Sequence, residues 1–394
     1  MKILISTFSF QPNKDGVSEA TSMMAAGFLE RGWEVDVATS ITTSPRSDLV
    51  WQGAQIHQFS VTGTGHPKFP FCGDVSQYRV FLESGDWDVV VFQAYAWTLH
   101  LALGNLTKIK GRKILVSHGY NNLRWVRMPK FPWGLGSCVM ALGQAARMCM
   151  WLSRLDRVVY LSEYADLHAF FDHSIAKRLG YRGRRVIPNG VNLEERATAP
   201  ASFRDALGIM PDQIVFLCVA NFNSIKNQGF AARSFRLAAI PGSILVFIGS
   251  EFNEFSQRFQ TEDAVNCPGE HPGKIVWLEK QDRVATLNAF AACDAFVLSS
   301  ESEAQPIALL EAMREGKPWI ASRVGCIPEM PGGICIDSVS TMSDAMRDLA
   351  ADPSRRKALG ELGYQAVIKT YNRKVCQEAY CKLIEELSQG ETEI

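Results

Sequence analysis

Residues 294–329 read DAFVLSSESEAQPIALLEAMREGKPWIASRVGCIPE, and their pattern decides how the rest of the chain is understood. AFVLSS is a short apolar run ending in serines, ESEAQP is a polar loop, IALLEAMREG has helical spacing and ends at a glycine, and PWIAS is apolar again. The order is strand, loop, helix, strand. Pro306 suits the first helical turn, where the N–H it lacks would have had no partner. The amides from Ile307 onward, backed by the positive end of the helix dipole, then offer a place for a phosphate or diphosphate. Glu303 on the loop and Glu311 two turns into the helix flank that place. Beside a diphosphate two carboxylates are repulsive unless each accepts hydrogen bonds from hydroxyls of the same ligand, which a sugar and a ribose would supply. By spacing alone, the same two glutamates also fit a solvated helix face and an ordinary loop charge.

A chain of 394 residues exceeds one ordinary core, so two domains are expected. Hydrophobic residues make up 47% and charged residues 21%, the balance of a globular protein, and the formal net charge of zero gives no global support to a nucleic-acid partner. The charge is unevenly placed. Residues 1–188 hold 21 lysines and arginines against 14 aspartates and glutamates, and no acid lies between Asp88 and Asp156. Ten cysteines without a Cys-x-x-Cys pair point to reduced thiols and no structural zinc. ILISTF near the start stops by Gln11-Pro12 without a small-residue cleavage site, so it reads as a first strand and not a signal peptide.

KILIST, WEVDVAT, DVVVFQ, KILVSH, RVVYLS and RRVIPNG are apolar or alternating runs separated by segments of helical period such as EATSMMAAGFLERG. In that segment Ala20, Met23, Gly27 and Phe28 share a face, and Gly32 suits the helix end. After VIPNGVNLEE the alternation restarts with QIVFLCVAN, GFAARSFRLA, SILVFIGS, KIVWLE and ATLNAFAAC, ahead of the stretch quoted first. Alternating strands and helices predict α/β architecture: two doubly wound, Rossmann-like halves with parallel sheets, meeting near Pro188-Asn189-Gly190.

Glu-Ala-Gln-Pro, four residues, Glu-Ala-Met, two residues, Gly-Lys-Pro, then a strand and Gly325 with Glu329 four positions on, closely resembles the donor-site signature of retaining glycosyltransferases of family 4 (glycosyl transferases group 1), which have the GT-B fold. The resemblance implies an acceptor-binding domain over 1–188 and a nucleotide-sugar-binding domain over 189–372, facing each other across a cleft. It also implies a last helix, within 373–394, that packs back on the first domain.

Open parallel sheets bind ligands beyond the carboxyl ends of their strands, so the loops there hold the candidates. In FQPNKDGVSEA the family has two glycines; this chain has Asp15-Gly16, with Asp15 bearing on the acceptor and Gly16 keeping a permissive backbone beside the reacting centre. His118 follows KILVS at the position where the family holds the donor sugar with a histidine. In VANFNSIKNQ, Lys226 matches the lysine that grips the donor diphosphate and offsets the charge growing on it. The family's arginine position is occupied by Asn221 or Asn223. The resemblance assigns Glu303 to sugar hydroxyls, Glu311 to the ribose, the backbone of Ile307, Ala308 and Leu309 to the diphosphate, and backbone contacts near the base to Leu278 and Glu279. His118, Lys226 and Glu303 are the catalytic candidates. No cofactor is expected beyond the nucleotide-diphosphate sugar as co-substrate, and no metal. Asp86-Trp87-Asp88 has metal-binding spacing but sits at the start of DVVVFQ, the edge of a parallel sheet that faces away from a site.

LRWVRMPKFPWGLGSCVMALGQAARMCMWLSRL, residues 123–155, is too interrupted for a membrane span. It reads as a buried or amphipathic helix, or as a basic, aromatic surface meeting anionic lipid or a phosphate-bearing acceptor, with Arg124 and Arg127 as contacts. The expected function is transfer of a hexose-type sugar from a UDP- or GDP-linked donor to a glycan, glycolipid or polysaccharide acceptor in envelope or exopolysaccharide synthesis. The expected location is the cytoplasm or the inner face of the cell membrane. A nucleotide-sugar epimerase of the same fold and a non-catalytic sugar-nucleotide-binding subunit are the alternatives. A Rossmann dehydrogenase is disfavoured because no Gly-x-Gly-x-x-Gly follows the first strand.

Overall fold

The computed structural model describes residues 1–13, 15–41, 45–65, 68–119, 143, 145–146, 148–164, 170–266 and 271–389. The chain divides into two compact units, Met1–Asn189 with Arg373–Ile394, and Gly190–Asn372.

Strands of the first unit are β1 (Lys2–Ser6), β2 (Glu34–Ser40), β3 (Val50–Trp51), β4 (Ala54–Phe59), β5 (Val61–Thr62), β6 (Cys72–Gly73), β7 (Val89–Gln93), β8 (Arg112–Ser117), β9 (Arg157–Tyr160) and β10 (Arg184–Val186). Eight of them form one sheet in the order β10-β9-β8-β7-β1-β2-β4-β3, parallel except where β3 meets β4. Ile3, Leu4, Ile5 and Val89 through Phe92 are all buried, as strands covered on both faces must be. The short strands between Val50 and Gly73 carry no continuous apolar run. Ala54–Phe59 buries only Ala54, Ile56 and Phe59, a pattern that pairing with β2 reveals and composition does not. Strand order reverses between β1 and β7, which puts the loop after β1 and the end of β7 at the switch point of the sheet.

Helix Gly16–Glu30 follows β1 and buries Ala20, Met23 and Phe28. The last helix, Arg373–Ser388, packs on it: the Gln377 amide donates to the Met23 carbonyl at 2.8 Å, and Arg31 pairs with Glu378 at 3.2 Å and Glu385 at 3.0 Å. Gly27 is what lets the two approach, since a Cβ there would lie 2.8 Å from the Gln377 Cγ. Gly27→Ala is expected to cost about 1–3 kcal/mol through overpacking. A urea midpoint equal to wild type would show that the helices separate without penalty.

The second unit contains β11 (Val215–Val219), β12 (Ile244–Gly249), β13 (Lys274–Glu279), β14 (Ala295–Leu298), β15 (Trp319–Ser322) and β16 (Gly333–Ile336). They form a wholly parallel sheet ordered β13-β12-β11-β14-β15-β16. This is the doubly wound order, with its switch point between β11 and β14. Phe216, Phe247, Phe296 and Trp319 fill the layers between sheet and helices. No helix among the described residues is long and apolar enough to cross a membrane. Among the same residues no group of three or more His, Cys, Asp or Glu is placed to hold a metal ion.

Candidate active site

The switch point of the second unit brings two loops together. After β14, Ser299 Oγ donates to the carbonyls of Lys226 (3.1 Å) and Asn227 (2.8 Å), and the Glu301 amide donates to the Ile225 carbonyl at 2.7 Å. The loop after β11 is closed from its own side, where the Lys226 amide donates to Asn223 Oδ1 at 2.9 Å. This clamp carries Lys226 Nζ to Glu303 Oε1 at 2.6 Å, and Ser300 Oγ donates to the same oxygen at 2.6 Å. The Glu303 side chain is only 8% exposed, so the lysine supplies a counter-charge the buried carboxylate requires. Glu303 Oε2 has no partner among the described residues.

Helix Ile307–Arg314 starts directly beyond. Pro306 lies just outside the helix as its N-cap, in extended conformation, and not within the first turn as the sequence suggested. The Leu309 amide donates to the Pro306 carbonyl at 3.1 Å, which corrects the expectation that Leu309 offers its N–H to a ligand. Among the described residues the amides of Ile307 and Ala308 have no partner. An i→i−3 bond that tightens the first turn uses one of the amides a regular helix start leaves unpaired. Asn221 is exposed, and its carbonyl accepts from Gln228 Nε2 at 3.1 Å.

Glu311 is nearly buried and meets Arg283 Nη2 at 2.5 Å. Burial raises its carboxyl above the ordinary carboxylate value, while Arg283 and then Arg314 oppose the rise. Arg283 opens helix Arg283–Ala292 and also grips Glu195, Nε to Oε1 at 2.7 Å and Nη2 to Oε2 at 2.5 Å. Neither Arg283 nor Glu195 stood out in the sequence; a cation directly after the Asp282 helix cap was the available signal. Leu278 is paired with Ile248 in the ladder at the edge of the sheet. Glu279 is engaged locally, its carboxylate accepting from the Phe252 amide at 2.6 Å and its carbonyl from Gln281 Nε2 at 2.9 Å.

In the first unit, Asp15 is the N-cap of helix Gly16–Glu30. Its Oδ1 accepts from the amides of Val17 and Ser18, each at 3.0 Å, and its Oδ2 accepts from Ser9 Oγ. Oδ1 therefore caps the helix start while Oδ2 ties it to Ser9 in the loop after β1, so both oxygens have structural partners beside the acceptor role the resemblance implies. Gly16 is the first helical residue, so its backbone is helical. His118, after β8, bonds through Nε2 to Gln93 Oε1 at 2.9 Å, and buried Gln93 ends β7. Burial pushes the His118 ring down to about 4, with Asp15 opposing, so the imidazole is neutral at neutral pH. Asp86 pairs with exposed Lys110 at 3.0 Å and Asp88 accepts from the Lys2 amide at 2.7 Å. Arg124 and Arg127 lie outside the described residues.

The His118 shift carries a prediction. With a folded value near 4 against an ordinary 6.5, the unfolded chain binds the proton more tightly. The stability contributed is whole above about pH 6.5 and is lost as pH falls through that window towards 4. His118→Gln should flatten the fall. Equal slopes of urea midpoint against pH in variant and wild type would contradict it.

Residues 201–366 match the family model of glycosyl transferases group 1. N-acetyl-alpha-D-glucosaminyl L-malate synthase of Bacillus anthracis is 25% identical over 44% of this chain and 45% of its own length. The GDP-mannose-dependent alpha-(1-6)-phosphatidylinositol monomannoside mannosyltransferase of Mycolicibacterium smegmatis is 25% identical over 92% of each. The chain thus spans about half the length of the first of these relatives. Among solved structures, sucrose-phosphate synthase of Thermosynechococcus elongatus superposes with a TM-score of 0.78 at 17% identity, covering 99% of this chain and 100% of its own. Anabaena HepE, solved with UDP and glucose, gives 0.73 at 14% identity, covering 98% and 100%. The segment that carries the Lys226–Glu303 clamp therefore matches the group 1 glycosyl transferases, in keeping with the resemblance to family 4, and the chain has the GT-B fold of these solved structures.

Proposed function

We propose that the protein is a retaining, metal-independent glycosyltransferase that moves a hexose-type sugar from a UDP- or GDP-linked donor to a glycan, glycolipid or polysaccharide acceptor. The observation that carries this reading is the Lys226–Glu303 pair, 2.6 Å apart, at the head of helix Ile307–Arg314. The pair sets, at one sheet switch point, a cation, a carboxylate with one oxygen unpartnered among the described residues, and two amides likewise without a partner among them. In the proposed reaction the bond from the anomeric carbon to the diphosphate breaks, and negative charge grows on the leaving oxygen. The amides of Ile307 and Ala308 and the Lys226 ammonium stabilise it. Glu303 Oε2 accepts from a donor-sugar hydroxyl and Glu311 from the ribose. Neutral His118 holds the sugar. The acceptor hydroxyl attacks on the face the nucleotide leaves and passes its proton to the departing phosphate oxygen, which preserves the anomeric configuration.

The names of the similar proteins support the substrate classes: one relative is GDP-mannose-dependent with a phosphatidylinositol mannoside acceptor, and HepE was solved with UDP and glucose. We place the enzyme in the cytoplasm, peripheral on the inner membrane face, in envelope or exopolysaccharide synthesis. Vesicle co-sedimentation indifferent to anionic lipid would remove the membrane part. The deciding experiment incubates the chain with UDP- and GDP-sugars and an acceptor panel, with and without EDTA, and reads products by NMR. An α-linked product from an α-linked donor, unaffected by EDTA, is expected. Inverted product or a metal requirement overturns the mechanism, an isomerised donor favours an epimerase, and binding without turnover favours a non-catalytic subunit.

A further inference from the structure

We propose that Arg283 is a positioning residue of the nucleotide site, holding Glu311 as a fixed, ionised carboxylate that reads the ribose hydroxyls, with Glu195 as the brace that orients the guanidinium. The proposal rests on the reading of Glu311 as the ribose contact and adds the residue that makes such a contact work.

A cation at the first residue of a helix is in the wrong place, because the positive end of the dipole disfavours it. Arg283 stands there, directly after the Asp282 cap. What offsets the placement is carboxylate on two sides. Nε and Nη2 make a fork with Glu195, and Nη2 also stands 2.5 Å from Glu311 Oε1 as an ion pair. The fork sets the plane of the guanidinium, so the direction of the bond to Glu311 is set with it. Glu195 belongs to the segment that opens the second unit, 116 positions before Glu311, and the contact is made by the fold alone.

Glu311 needs this help. It is 7% exposed, and an isolated buried acid holds its proton. A protonated carboxyl offers a ligand one donor in place of an acceptor, and diol recognition by a carboxylate is lost. The charged groups around it are Arg283, Glu195 and Arg314. Arg314, on the helix of Glu311, is fully buried and lies 3.6 Å from Glu195 Oε2 and 3.0 Å from Glu315 Oε1. Arg314 is therefore shared between two other carboxylates, which leaves Arg283 as the direct partner of Glu311. The bond uses Oε1. Oε2 has no partner among the described residues and is the atom available to a hydroxyl.

The test measures binding of UDP, GDP and ADP, and then of the 2′-deoxy form of whichever the wild type binds, by calorimetry between about pH 6 and 9. Wild type is expected to show a preference for the ribonucleotide over its 2′-deoxy form that stays flat across that range, the titration of the diphosphate cancelling in the ratio. R283Q should bind about tenfold more weakly at neutral pH. It should regain affinity as pH rises and Glu311 ionises, and lose ribose preference at the low end. R283K, which keeps the charge, should restore the flat profile. Wild-type affinity, pH profile and ribose preference in R283Q overturn the role of Arg283 while leaving the nucleotide site standing. No nucleotide bound by wild type overturns the site itself. If R283Q does not fold, E311Q replaces it, imitating the protonated acid with Arg283 intact. Loss of ribose preference in E311Q supports the proposal, and undiminished preference overturns it.

Discussion

Lys226→Ala is expected to lower kcat for sugar transfer by about two to three orders of magnitude, the loss typical when one preorganised stabiliser of a developing oxyanion is removed. Two consequences combine. The leaving diphosphate loses the cation of the clamp, and Glu303, 8% exposed on its side chain, keeps only the Ser300 hydroxyl among the described residues. A buried carboxylate stripped of its counter-charge is costly, roughly 3–5 kcal/mol where the partner is simply removed. Lys226→Ala should therefore also melt earlier, and Glu303→Gln added to it should recover stability without recovering turnover. That split separates chemistry from folding. Turnover within about threefold of wild type in Lys226→Ala would place the leaving-group charge elsewhere.

Gly325→Ala is the second large effect, on stability first and on nucleotide binding through it. Gly325 has φ +56°, and a Cβ built there lies 1.9 Å from the Glu303 carbonyl oxygen and 2.8 Å from its carbon. The obstacle is backbone, so no rotamer relieves it. The Cys326 amide donates to the Ala304 carbonyl at 3.3 Å, which ties the two loops at the point of collision. A cost of about 3–5 kcal/mol is expected, among the largest for a single substitution, with displacement of the Glu303 loop. Gly316→Ala is the control. Its φ is +64° but a Cβ would meet nothing within 4 Å, so the backbone penalty stands alone at about 1 kcal/mol. Thermal melts with and without nucleotide measure both. Similar melting temperatures for the two variants would mean that the loop at Gly325 yields.

These two residues show where sequence reading stops. Glu303, Glu311 and Gly325 are visible in the primary structure because a strand, loop and helix with that spacing form a local unit. That Lys226 reaches Glu303 depends on β11 and β14 being neighbours although 77 residues separate the two side chains. Asp15 was locally legible: an aspartate before Gly-Val-Ser at a helix start caps it through amides two and three residues on.

Hydrophobic periodicity by itself determined the parallel strands and the two-unit α/β organisation, because a strand buried on both faces must be apolar throughout and its neighbours must follow the same rule. It also placed Glu303 on a loop just before a helix start and Glu311 within that helix, because a strand, loop and helix of that spacing form a local unit. Only the tertiary structure decided which charges meet. Lys226 meets Glu303 where strand order reverses between β11 and β14, and Arg283, after the edge strand β13, meets both Glu195 and Glu311 from distant segments of the chain. A buried carboxylate needs a counter-charge, but chain order does not say which of many cations the fold will bring within reach.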